Sequence, residues 1–310
     1  MPLSGGDGFC LEIRKIWSEG GWPCFSLDGR SLVFTGLMEQ SHNRLFMMTL
    51  DGCAQPRALT PPHINAKRPA WLSTGNELAF NRDQSGIWTL NLETDHIAPF
   101  LPDESSDGWS FFHPCAYPCE RAVAVVAIRE TVQGREGVLY KLAPGTIQPR
   151  MQLTSFPEVC AGRPGVNPDG ETVVFAGNAG RFAQGANQLW VVRSNERPRR
   201  LEPGEPHLAH GRGPRWSPDG KWIACVSTRP DPNPSEKTVR AIWIISADGC
   251  QTFRLTDHSF NPLHVAWAPN QKHLACGGFG CGLGLLDLPA MFHATPETGR
   301  KEKGGVHDAR

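Results

Sequence analysis

Pro214-Arg215-Trp216-Ser217-Pro218-Asp219-Gly220-Lys221-Trp222-Ile223-Ala224-Cys225 reads as a short apolar strand, a Pro-Asp-Gly turn and a second apolar strand. Proline presets the backbone for the turn, the Asp side chain can hydrogen-bond nearby backbone, and glycine accepts a positive φ, so the stretch predicts a tight β-hairpin. The hairpin recurs along the whole chain. Its sixth position falls at Asp28, Thr74, Cys119, Asp169, Asp219 and Asn270, at intervals of 46, 45, 50, 50 and 51 residues. Near-constant spacing of this length is the signature of a repeat protein.

A third apolar strand follows each hairpin: Leu45 to Leu50, Ile87 to Leu92, Val138 to Leu142, Leu189 to Val192, Ile242 to Ser246 and Leu283 to Leu288. Phe46, Trp88, Tyr140, Trp190 and Trp243 sit at equivalent places, and only the last copy has Gly284 instead. A fourth strand closes most units, as in Arg57-Ala58-Leu59-Thr60, Gln152-Leu153-Thr154 and Arg254-Leu255-Thr256. Four antiparallel strands in about 40 to 50 residues make the blade of a β-propeller. The last unit has no fourth strand, whereas Leu11-Glu12-Ile13-Arg14-Lys15-Ile16-Trp17 precedes the first unit with no sheet of its own. Pairing the two would remove an exposed sheet edge. The fold expected is all-β, a six-bladed propeller over residues 1–290 with residues 11–17 completing the last blade. Residues 291–310 are polar and expected to be disordered.

The motifs Trp216-Ser217-Pro218-Asp219-Gly220, Asn167-Pro168-Asp169-Gly170, Trp267-Ala268-Pro269-Asn270, and Ala247-Asp248-Gly249 leading to Phe253-Arg254-Leu255-Thr256 resemble the TolB-like propeller repeat over residues 11 to 288. The resemblance implies the fold more than a function. Similar propellers occur in periplasmic interaction proteins, in gating domains of serine peptidases and in oligogalacturonate lyases. The N-terminal domain of TolB itself is not expected here.

Lys plus Arg and Asp plus Glu balance at 31 each, so no overall charge drives the chain toward nucleic acid or membrane. No apolar run reaches 18 residues, and the first residues carry neither a basic end nor an apolar core. Of the ten cysteines, Cys225 and Cys276 take the repeat position held by Phe34, Phe80 and Phe175, and Cys53 and Cys250 follow Asp-Gly turns. Equivalent positions in different blades are far apart, so free thiols and a cytoplasmic location are expected; a monomer is expected as well. His113-Pro114-Cys115-Ala116-Tyr117-Pro118-Cys119 contains metal-ligand types, but strand alternation puts His113 and Cys115 on one face and leaves Cys119 in the turn, with no second pair to complete a zinc site.

The first strand of each blade lines the central channel and opens on the face carrying the loops between second and third strands. Those loops are long at Gly36 to Asn43, Arg129 to Gly137, Gly177 to Asn187 and Thr228 to Arg240, and binding sites concentrate in such loops. Three residues before the Trp position of each inner strand lies the ring Trp22, Arg68, His113, Arg163, Gly213 and His264. With Lys67, Arg212 and the loop residue His210, this mouth gathers cations suited to a carboxylate or phosphate. Arg68 and Arg163 could instead pair with Glu19, Asp107 or Glu158 to tie blades together.

Three function classes follow. One is a propeller binding an anionic small molecule through Trp22, Lys67, Arg68, Arg163, His210 and Arg212. Another is a lyase or related enzyme on a sugar acid, with His113 or His264 as general base and a divalent metal at those histidines. The third is a scaffold docking a partner protein on the loop face. No Gly-x-Ser-x-Gly elbow, phosphate loop or His-Glu-x-x-His motif is present, and no appended peptidase domain is expected, so the sequence alone leaves catalysis undecided.

Overall fold

The computed structural model describes residues 9–37, 42–51, 55–83, 86–101, 108–132, 134–144, 151–155, 160–179, 188–201, 212–227, 240–257 and 259–293. They form six four-stranded antiparallel sheets, each with its strands in consecutive order from the channel outward except the last. Blade 1 is Gly21–Phe25, Ser31–Leu37, Asn43–Thr49 and Arg57–Ala58; blade 2 is Ala66–Trp71, Glu77–Arg82, Ile87–Asn91 and Ile97–Pro99. Blade 3 is Ser110–Ala116, Val123–Thr131, Gly134–Leu142 and Met151–Gln152; blade 4 is Cys160–Val166, Thr172–Asn178, Gln188–Arg193 and Arg199–Arg200. Blade 5 is Arg212–Trp216, Trp222–Ser227, Ala241–Ser246 and Thr252–Arg254. Blade 6 joins His264–Trp267, His273–Gly278 and Gly282–Asp287 to the N-terminal strand Arg14–Trp17. No helix among the described residues is long and apolar enough to cross a membrane.

The repeat motifs each have a structural job. In the turn, Ser217 Oγ donates to Asp219 Oδ1 at 2.6 Å, that oxygen accepts the Lys221 amide, and Ser217 Oγ accepts the Trp222 amide. Gly220 supplies φ +70, as Gly29, Gly75 and Gly170 do in their turns. The threonine ending the outer-strand motif is buried, and its hydroxyl accepts a backbone amide from within the third strand. The pairs are Leu45 to Thr60 at 3.1 Å, Leu139 to Thr154 at 2.9 Å and Ile242 to Thr256 at 3.0 Å.

The inter-blade cores follow the repeat register. Phe34, Phe80, Val125, Phe175, Cys225 and Cys276 lie opposite Phe46, Trp88, Tyr140, Trp190, Trp243 and Gly284 in their sheets. Cys225 and Cys276 are fully buried, and burial pushes the Cys276 thiol far up. The eight cysteines with described side chains are free; Cys53 and the side chain of Cys160 lie outside the described residues.

The N-terminal strand pairs antiparallel with Gly282–Asp287, Arg14 opposite Leu285 and Trp17 opposite Leu283. Upstream, the Leu11 amide donates to Leu255 O, and Phe9, Leu11 and Ile13 pack on the core of blades 5 and 6. This explains Gly284. A Cβ there would collide with Ile13 Cγ2, so the space an aromatic fills elsewhere is taken by the closing segment. At the other terminus, Ala290–Phe292 form a 3-10 turn whose Phe292 is fully buried against Phe9, Trp222 and Phe253. Residues 294–310 lie outside the described residues.

Candidate functional site

One local rule positions the channel ring. In five blades the ring residue precedes proline: Trp22-Pro23, Arg68-Pro69, His113-Pro114, Arg163-Pro164 and Gly213-Pro214. Proline cannot donate to the ladder, and the inner strand of each of these blades breaks register there with a bulge. Trp22, Arg68, His113 and Gly213 take positive φ, between 50° and 59°. Blade 6 carries His264-Val265, and its ladder runs regularly, His264 opposite Gly277 and Val265 opposite Cys276.

A bulge pulls an amide out of the ladder, and that amide needs another acceptor. The Arg68 amide donates to Thr35 Oγ1 of blade 1 at 3.0 Å, and the His113 amide to Asn81 Oδ1 of blade 2 at 2.9 Å. Asn81 is a buried hub, its amide nitrogen donating to Gly86 O and Phe111 O. The same bulge undoes the simple alternation expected around His113 and Cys115. Cys119 does lie exposed in the turn.

Beside the channel lies a cavity of about 620 Å3, lined by Arg68, His113, Arg163, Glu130 and Arg135 among apolar Phe112, Val126, Ile128 and Ala176. This is the size of a small-molecule site. Its outer wall corrects an expectation: Arg129–Thr131 and Gly134–Gly137 are not loop but the end of a hairpin of two nine-residue strands, Val123–Thr131 with Gly134–Leu142. Cross-strand ion pairs hold the extension, Arg129 to Glu136 at 2.6 Å and Arg135 to Glu130 at 2.7 Å. Arg129 also lies over the Trp109 ring at 4.6 Å. Sequence reading missed Glu130 and Arg135 because it took them for loop.

Arg68 is the most distinctive group of the site. Its guanidinium sits over Trp22 at 5.3 Å and Phe112 at 6.0 Å, with a long 3.4 Å hydrogen bond to Asn81 Oδ1. It makes no ion pair among the described residues, Glu19 included, and burial pushes its pKa down to about 10. Blade-tying by a described carboxylate is therefore not its role; Asp107 and Glu158 lie outside the described residues. His113 is surrounded by protein yet partly open to the cavity, and burial, then Arg163 and Arg68, hold its pKa well below the usual 6.5. It is a neutral imidazole at physiological pH.

The other expected residues divide. Trp22 and His264 line a narrow neck of the channel and not the larger cavity. Their rings lie 4.3 Å apart, and His264 is buried. Lys67 lines neither cavity; it is partly buried, which together with neighbouring Arg68 lowers its pKa. Arg212 is in the inner strand of blade 5, opposite Val226, but its side chain and His210 lie outside the described residues. Arg215, not anticipated, reaches the neck and donates to Pro164 O and Pro214 O at 2.9 Å. Among the described residues no three His, Cys, Asp or Glu side chains converge as metal ligands. Two imidazoles beside three guanidiniums do not fit a divalent cation.

No family model matches the chain. It is 24% identical over 207 residues to an uncharacterized protein of Agrobacterium fabrum, covering 65% of this chain and 60% of that one. Among solved structures, a gluconolactonase from Xanthomonas campestris superposes with TM-score 0.65 at 14% identity, over 93% of this chain and 99% of that one. TolB from Acinetobacter baumannii gives 0.58 at 15% identity, over 80% of this chain and 55% of that one. Oligogalacturonate lyase from Vibrio parahaemolyticus gives 0.57 at 11% identity, over 93% and 100%. The chain thus spans little more than half of TolB and three fifths of its curated relative. At these identities the likenesses speak to fold, and the fold is a six-bladed, TolB-like β-propeller.

Proposed function

We propose that this propeller binds a small carboxylate-bearing molecule of sugar-acid size in the cavity beside its channel. The observation that carries this reading is Arg68, a mostly buried guanidinium with no described carboxylate partner in the wall of a 620 Å3 cavity. Burying a charge without its counterion is costly, and an incoming carboxylate recovers that cost through charge-assisted bonds. Arg163 and Arg135 add positive charge around the same space, and Glu130 holds Arg135 in place. The apolar wall of Phe112, Val126 and Ile128 would cover the uncharged part of the ligand.

A second reading, catalysis on such a molecule, is favoured by one group. His113 faces the cavity as a neutral imidazole, which can accept a proton at neutral pH. Arg68 and Arg163 would neutralise the ligand carboxylate and acidify the adjacent C–H; His113 would take that proton as the C–O bond at the β carbon breaks, leaving a C=C bond, and the departing oxygen would take a proton from water. The gluconolactonase and oligogalacturonate lyase whose folds match over most of this chain make sugar acids and their lactones sensible first substrates. No metal step is proposed, because the described ligands do not fit one. A partner-protein role has no particular residue in its favour.

Calorimetric titration with gluconate, galacturonate and inorganic phosphate tests the reading. Binding by a carboxylate that Arg68→Gln weakens at least about tenfold supports it, since hydrogen bonds to charged groups contribute about 1.5 to 3 kcal/mol. Equal affinity in parent and variant would overturn it. Turnover of oligogalacturonate that His113→Gln abolishes without loss of affinity would decide for the enzyme.

A further inference from the structure

Sharing Arg68, His113 and Arg163 with the larger cavity, a neck of the channel encloses about 20 Å3, room for one water-sized species. Its wall includes Trp22, Arg68, His113, Arg163, Arg215 and His264, and among the described residues no carboxylate lines it. Two of these residues carry buried N–H groups with no acceptor among the described residues, Trp22 Nε1 and Arg68 Nε. Both are pure donors, unable to satisfy one another. Arg215 spends the protons of Nη1 on Pro164 O and Pro214 O, and no described carboxylate pairs with its charge. The carbonyls, proline rings and histidines of the wall supply no negative charge.

A water molecule could accept from one or two of these donors, but it would bring two protons of its own and no charge. A monoatomic anion accepts from every donor around it and offsets the guanidinium charges at short range, where the surrounding protein screens little. A space of this size suits a species of about the size of one water. We propose that the neck of the channel binds one chloride ion, held between the Arg68 and Arg215 guanidiniums and the Trp22 indole N–H. Because Trp22 and Arg215 line the neck and not the larger cavity, this site stands whether or not that cavity takes a carboxylate. Its occupancy also bears on His113, whose proton affinity is depressed by burial, Arg163, Arg68, His264 and Arg215. A chloride among these groups would move it back toward the ordinary value.

The experiment uses the full chain, exchanged into sodium isethionate, whose anion is too large for the neck. Chloride titrated at constant ionic strength should raise the melting temperature saturably. Crystals soaked in bromide should show an anomalous peak within hydrogen-bonding reach of Arg215 or the Trp22 nitrogen. Trp22→Phe keeps a ring on His264 but removes the N–H, and Arg215→Gln removes a charge; each should weaken chloride binding at least about tenfold, and Arg215→Lys should recover part of it. If Arg215→Gln fails to fold, Trp22→Phe alone decides. Identical melting in chloride and isethionate, a neck without an anomalous peak, or bromide found only in the larger cavity would overturn the site. Carboxylate titrations run in isethionate score the larger cavity separately.

Discussion

Arg68 in blade 2 precedes Pro69, and His264 in blade 6, at the same repeat position, precedes Val265. In blade 2 the ladder breaks between Lys67 and Ala70, Arg68 turns to φ +59, and its side chain reaches the wall of both cavities. In blade 6 the ladder is unbroken, and His264 is buried against Trp22 in the neck alone. One missing amide proton separates the two outcomes. A proline in an inner strand costs a ladder hydrogen bond but frees the preceding residue to leave the strand's alternation. Blade 6 is also the blade assembled from both ends of the chain, and regular pairing of its inner strands suits a blade whose outer strand comes from the N-terminal segment.

The largest test attacks that closure. Deleting residues 1–17 removes the outer strand of blade 6 together with Leu11, Ile13, Ile16 and Trp17 from two cores. Losing one large fully buried apolar group costs about 2 to 5 kcal/mol; these four are partly buried, and losing them together with a whole strand should make the truncated chain aggregate or melt far below the parent. An unchanged melting temperature in a monomeric product would refute the closure. Next comes the contrast in ligand binding: Arg68→Gln should weaken carboxylate affinity by about 1.5 to 3 kcal/mol, while His264→Gln changes it less than about twofold. Titration calorimetry on the two variants reads both, and equal losses would erase the difference between the blades.

Val265→Pro imposes on blade 6 the rule of the other five. It should cost about 1 to 3 kcal/mol, within the range for a disrupted core position, and disturb the Trp22 stack; chemical denaturation measures the loss. A smaller effect comes from pH. The folded pKa of His113 lies below its unfolded value of about 6.5, so its contribution is complete above that pH and is lost as pH falls below it, when the unfolded chain binds the proton more readily. His113→Gln should flatten the stability profile below about pH 6.5, by at most about 1.4 kcal/mol per pH unit. Pro69→Ala should move stability least, by about 0.4 to 1 kcal/mol, yet relax Arg68 and weaken carboxylate binding. If affinity holds, the bulge is not what positions the guanidinium.

The repeat period, the four strands per blade, the burial of Cys225 and Cys276 and the pairing of the N-terminal segment with the last blade were all legible in the sequence, because each depends on local alternation and turn chemistry that recur at fixed spacing. Even Gly284, the exception among the aromatics, marked the place that Ile13 enters. The ring itself was legible as a register position, and its X-Pro signature was there to be read, in five of six units. What only the tertiary structure decided is which ring members share a cavity and which stand without a counterion. Arg68, Arg163 and the hairpin bearing Glu130 and Arg135 meet across three blades, and the absence of a described carboxylate beside Arg68 is a property of everything packed around it. Burial and charge balance are sums over distant segments, so no single stretch of chain contains them.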